Sequence, residues 1–139
     1  MNAQRAIAGI ASVCLLVVAG CGEPTRPKPV VAGWLDVRVS TSAPDVGIVR
    51  MTLAGGRVDS ATVSGVYSGF IGAPQGGAVP LIVIGPIATG SVARIKVPDL
   101  SVPYTAIVEE AASSSDYSLI ATDQFVAAVL PIAGHASAP

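Results

Sequence analysis

Trp34-Leu35-Asp36-Val37-Arg38-Val39-Ser40 alternates without a break, with Leu35, Val37 and Val39 set against Trp34, Asp36, Arg38 and Ser40. Successive side chains of an extended chain point to opposite faces, so this period of two gives one apolar row for a core and one polar row for water. A helix would scatter the same residues around its circumference. The segment is therefore a half-buried β-strand, and the chain around it repeats the theme.

Downstream, residues 46–54 set Val49, Met51 and Leu53 against Arg50 and Thr52. Ala54-Gly55-Gly56-Arg57 offers a turn, because glycine tolerates positive φ. Residues 58–67, rich in Val, Thr and Tyr, read as a third strand. The glycine-dense stretch between Ser68 and Val79 (Gly69, Gly72, Gly76, Gly77, with Pro74) reads as an exposed loop of about ten residues. Residues 81–84 form a short apolar run between Pro80 and Pro86, the pattern of a buried strand. In residues 91–97, Ala93, Ile95 and Val97 alternate with Val92, Arg94 and Lys96, and Pro98-Asp99 ends the strand. Residues 103–110 alternate as well, although good helix formers at 107–112 allow a turn there. After the polar break Ser113-Ser114-Ser115-Asp116, residues 117–121 suggest a short edge strand and residues 124–130 a closing one.

Short strands at spacings near ten residues, with no amphipathic helix, predict an all-β fold: a single small β-sandwich over residues 33–131, with a small barrel as the alternative. About 100 residues suit one such domain and not two. Residues 132–139 read as a flexible small-residue tail.

Upstream, Pro24, Pro27 and Pro29 space out residues 22–32 and favour an extended linker. At about 3.1 Å per residue it would reach about 30 Å. Before it, Arg5 precedes an apolar run over residues 6–19, the length of a signal-peptide core and short of the ~20 residues of a bilayer span. The run closes on Val18-Ala19-Gly20-Cys21, which resembles the lipobox of bacterial lipoproteins. The resemblance implies a lipoprotein signal peptide over residues 1–20, cleavage between Gly20 and Cys21, and a lipid on Cys21 as the membrane anchor. Gly22 is not the aspartate associated in some bacteria with inner-membrane retention, which favours the outer membrane where the cell has one. Together these predict an exported protein, lipid-anchored to the cell envelope.

A second resemblance is carried by Gly33-Trp34-Leu35-Asp36-Val37-Arg38-Val39, Asp45-Val46-Gly47-Ile48-Val49, Ala93-Arg94-Ile95-Lys96-Val97-Pro98-Asp99 and Tyr104-Thr105-Ala106-Ile107-Val108. These stretches look like uncharacterised bacterial lipoproteins with a cohesin-like or immunoglobulin-like domain. They are packing patterns, so the resemblance implies a fold and an export route but no site residues.

The chemical inventory is thin. Of two cysteines, Cys14 falls in the signal segment and Cys21 at the lipid site, leaving the expected mature domain no thiol for a disulfide, a metal or catalysis. Net charge is −1, and loss of Arg5 takes it to −2, with Arg26/Lys28 and Arg94/Lys96 as the only close basic pairs. That excludes the electrostatic footprint of a nucleic-acid binder. His135 is the single histidine and lies in the tail. Neither Ser64-Gly65 nor Ser68-Gly69 has the glycine two residues earlier that a nucleophile elbow needs. Asp99, Asp116 and Asp123 each sit alone beside turn residues, where aspartate caps backbone rather than gathering a calcium ion. Glu109 and Glu110, adjacent on a strand, should point to opposite faces and not act as an acid–base pair. No catalytic residue, metal site or cofactor is therefore expected.

The remaining candidates are rings. Trp34, Tyr67 and Phe70 are the residues from which a binding surface for an envelope protein or glycan is most readily built. The expected function is a non-catalytic, lipid-anchored β-sandwich that presents loops for such contacts. Its rivals are a structural envelope lipoprotein acting by assembly and, last, a small carboxylate-dependent enzyme. Export and an anchor set the location; the partner has no sequence signature.

Overall fold

The computed structural model describes residues 27–132 and folds them into two antiparallel sheets packed face to face. Nine strands follow in order: β1 Gly33–Thr41, β2 Val46–Ala54, β3 Ser60–Val63, β4 Ser68–Ile71, β5 Ala78–Ile87, β6 Gly90–Val97, β7 Thr105–Ser113, β8 Leu119–Ile120 and β9 Phe125–Pro131. A single 3₁₀ turn, Thr122–Gln124, precedes β9. One sheet runs β3-β6-β1-β9 and the other β4-β5-β2-β7-β8. Both are open, so the fold is a β-sandwich and not a barrel.

The core is what alternation predicts for the central strands. Leu35, Val37 and Val39 of β1 and Ala93, Ile95 and Val97 of β6 face Val49, Met51 and Leu53 of β2 and Leu81 and Val83 of β5, all buried. Tyr104 closes one end, its hydroxyl donating to the Arg57 carbonyl at 2.8 Å. This bond ties the loop before β7 to the turn after β2. Gly55, at φ +135°, and Gly56 lie directly against Pro103 and Tyr104; a Cβ on Gly56 would stand 2.8 Å from the tyrosine oxygen. Glycine is required there for lack of space as well as for conformation.

Three departures from strict alternation are β-bulges, where one extra residue shifts the face of everything beyond it. In β6 the register jumps from Val37–Ala93 to Arg38–Ser91, so Val92 is buried beside Ala93 and not on the outer face with Arg94 and Lys96. In β7 it jumps from Arg50–Glu110 to Met51–Val108, so Glu109 is the unpaired residue. In β2 it jumps at Gly47, where Ser114 lies too close for any Cβ.

Other boundaries also move. The glycine-dense stretch is not one loop: Ser68–Ile71 is an edge strand paired with β5, and the turn is confined to the residues around Gly76 (φ +57°) and Gly77 (φ +85°). The third strand contracts to Ser60–Val63, and residues 107–112 continue β7 without turning. Gly20, Cys21 and residues 133–139 lie outside the described residues.

Candidate functional site

The sandwich has two distinguishable ends. The linker enters β1 at Gly33, where the Leu100 N–H donates to the Val31 carbonyl at 2.8 Å and the Ile132 N–H to the Trp34 carbonyl at 3.5 Å. The opposite end carries the β1–β2 loop, the turn from Ser64 to Tyr67, the β5–β6 turn and the loop from Ser113 to Ser118.

Outward-facing residues of the five-stranded sheet fall in rows across the strands. Register aligns Ser68, Ile84, Ile48, Ala112 and Leu119 in one row, and Phe70, Ile82, Arg50 and Glu110 in the next. Phe70 is 64% exposed and Leu119 75%, and Ile84 is exposed between them. This outer face is apolar where a solvated antiparallel sheet is ordinarily polar. Ile48, Ala112 and Leu119 line a groove beside Arg50 and Ile82. It continues toward the end away from the linker as a depression of about 550 Å³ along Gly47, Ile84, Pro86 and Tyr117.

Tyr117 forms the lip. It has φ +58°, the only positive φ of a non-glycine among the described residues, and the residue is 80% exposed. A left-handed tyrosine costs about 1–2 kcal/mol, so the surrounding bonds must hold it. They come from Asp116, which accepts from the Ser118 N–H at 3.0 Å and the Ser118 hydroxyl at 2.7 Å, and from the Ser113 N–H donating to the Ser118 carbonyl at 2.9 Å. The serine bonds hold the Asp116 carboxyl below its usual range.

The same loop is fastened to the β1–β2 loop by Asp45. Its carboxylate accepts from the hydroxyls of Ser113 (2.8 Å) and Ser114 and from the Ser115 N–H (3.2 Å). Hydroxyls of Ser114, Ser115 and Ser113 together lower its pKa to about 2, outweighing a small opposing desolvation. The polar break read in the sequence is thus a carboxylate cradle supporting an aromatic lip.

At the other end of the groove, Arg50 is held by both carboxylates of the bulge: Nε lies 3.4 Å from Glu109 and Nη2 3.4 Å from Glu110. Thr52 donates to Glu109 at 2.6 Å. The expectation that Glu109 and Glu110 face opposite ways is therefore overturned by the bulge. With the guanidinium between them, and all three groups half-exposed, they are an ion-pair cluster of net charge −1.

The rings singled out in the sequence do not share one surface. Phe70 belongs to the groove's sheet. Trp34 lies on the outer face of the other sheet, where it lines a depression with Thr62, Arg94 and Ile132. Tyr67 packs half-buried at the core's rim, against Gly85. Beside Trp34's row, Ser91 donates to the Asp36 carboxylate and is hydrogen-bonded to Ser64 at 3.1 Å. Asp99 accepts from the Ser101 N–H (2.8 Å) and hydroxyl (2.7 Å), the turn duty expected of it, and Asp123 lies in the 3₁₀ turn.

Sequence reading missed Ile48, Ile82, Ile84 and Leu119 as surface. The signal was present in residues 81–84: an antiparallel strand apolar on both faces needs cover on both, and the sandwich covers only one. No family model, curated protein or solved structure matches the chain. Among the described residues no helix is long and apolar enough to cross a membrane, and no group of three or more His, Cys, Asp or Glu side chains is placed to hold a metal ion.

Proposed function

We propose that this protein is a lipid-anchored, non-catalytic binding module of the cell envelope, of immunoglobulin-like or cohesin-like type, whose ligand is another protein. The observation that supports this most is the apolar outer face of the β4-β5-β2-β7-β8 sheet, opening toward the end opposite the linker. Protein recognition is favoured because the face combines exposed aromatic and branched side chains with one charged cluster, the composition of an interface core and its polar rim. The sheet, rather than the loops alone, makes the surface; the Asp45 cradle and Tyr117 extend it.

The anchor rests on the lipobox resemblance at Cys21. Mass spectrometry of the N-terminal peptide of membrane-extracted protein tests it. A peptide starting at Cys21 with acyl chains attached is expected, and Cys21→Ala should release the protein from membranes. An unmodified Cys21 thiol in the mature chain would refute the anchor.

A second reading, glycan binding, has its own support in Trp34, whose ring stands beside Arg94 and Thr62 on the other sheet. A flat ring next to hydrogen-bonding groups suits a sugar. If Trp34→Ala keeps the fold and loses binding to isolated envelope glycan, this reading displaces the first.

A further inference from the structure

Four strands are sheet edges: β3, β4, β8 and β9. Folded proteins keep edges from pairing with other chains by making them short, charged, bulged or interrupted by proline. The first three have four, four and two residues. β9 has seven, Phe125-Val126-Ala127-Ala128-Val129-Leu130-Pro131, with no charged residue, no proline before the last position and no register shift against β1.

Which backbone groups of β9 are free follows from its register. The Ser42 N–H donates to the Gln124 carbonyl and the Ile132 N–H to the Trp34 carbonyl, so these are hydrogen-bonded pairs of the β1–β9 ladder. Such pairs alternate along antiparallel strands, which places Val126, Ala128 and Leu130 in bonded pairs with Ser40, Arg38 and Asp36. Ala127 and Val129 then turn their N–H and C=O groups away from β1. The Phe125 N–H is taken by Thr122, but its carbonyl faces the same way. Among the described residues no backbone group meets this row, and Val126 and Leu130 stand exposed beside it.

We propose that β9 pairs with β9 of a second copy, antiparallel about a two-fold axis at Ala127, joining two four-stranded sheets into one of eight. The row is self-complementary under that operation. The two Ala127 residues exchange both their bonds, and each Val129 N–H meets the Phe125 carbonyl of the other copy. Val126 falls opposite Ala128, whose small side chain gives it room, and no like charges meet. An isologous contact of this kind closes at two and leaves the groove on each five-stranded sheet free.

The two-fold axis reverses strand direction, so the Gly33 ends of the two copies point apart. Seven strand residues measure about 23 Å. On the anchor reading, the linker's reach of about 30 Å lets both copies hold one membrane. The pairing itself does not depend on the anchor.

Hydrogen–deuterium exchange on the full chain in detergent, across a wide concentration range, tests the pairing residue by residue. The Ala127 and Val129 amides should exchange rapidly when dilute and gain about tenfold protection or more as the sedimentation mass doubles. Ala128, bonded to Arg38, should be protected throughout. Ala127→Pro removes only the outward N–H and should yield a monomer at every concentration. Should that variant fail to fold, Val126→Lys, which puts a charge on the exposed edge, should do the same. A wild-type chain monomeric at all concentrations would overturn the proposal, as would Ala127 and Val129 amides already protected when dilute. Protection that arises only on adding an extended peptide, without a mass corresponding to two copies, would also overturn it.

Discussion

Arg50 Nε lies 3.4 Å from Glu109 Oε2 although Glu109 is not Arg50's cross-strand partner; that partner is Glu110, and a bulge in β7 delivers the second carboxylate to the same guanidinium. Removing the arginine leaves two adjacent carboxylates on one sheet face. Because all three side chains are about half exposed, screening keeps the effect small. Arg50→Ala should destabilise by up to about 1 kcal/mol in urea titration, and Glu109→Gln by less. High salt should reduce both differences. A loss several times larger would mean that the cluster is buried by a partner in the sample.

That bulge also marks the limit of sequence legibility. Alternation in β1 and β2 places Leu35, Val37, Val39, Val49, Met51 and Leu53 correctly, because the extra residues of the bulges beside those runs lie in the neighbouring strands β6 and β7. Val92 and Glu110 fall on the wrong face because a bulge changes parity without any composition signal; a non-glycine residue, Val92 in β6 and Glu109 in β7, occupies the extra position. The β4 strand is hidden by its one glycine, since Gly69 is there for want of space: a Cβ would run into Val63. The groove was invisible for a different reason. It needs residues from four strands, Phe70, Ile82, Ile48 and Leu119, whose adjacency exists only in the sheet order.

Acid should loosen the loop that carries Tyr117. Asp45 has its folded pKa lowered to about 2, against about 3.9 in an unfolded chain, so its contribution is present above pH 4 and lost as pH falls toward 2. Asp99 and Asp116, lowered by their serine partners, act in the same direction. Thermal melts of wild type and Asp45→Asn from about pH 6 down to about pH 2 should show a shallower decline for the variant. Parallel curves would mean that the serine cradle does not form in solution.

Tyr104 and Gly56 should be energetically coupled. Tyr104→Phe removes the bond to the Arg57 carbonyl and should cost about 1 kcal/mol. Gly56→Ala drives a Cβ toward the phenol oxygen and should destabilise wild type more than it destabilises Tyr104→Phe. A double-mutant cycle in urea measures the difference; additive costs would contradict the contact.

Tyr117 should be dispensable for folding. Its left-handed backbone suits asparagine better, so Tyr117→Asn should leave stability unchanged or raise it by up to about 1 kcal/mol. The same substitution removes the exposed ring from the groove's lip and should weaken partner binding. Loss of stability instead would assign the ring a packing role.

The claim that the five-stranded sheet's outer face is the recognition surface is tested most directly by photocrosslinking in intact cells. A photoreactive side chain at Leu119 samples the groove; the same group at Lys96 samples the outer face of the other sheet. The account predicts one discrete adduct to another envelope protein from Leu119, abolished by Phe70→Asp, and none from Lys96. Adducts from Lys96 alone, or equal labelling from both faces, would contradict it.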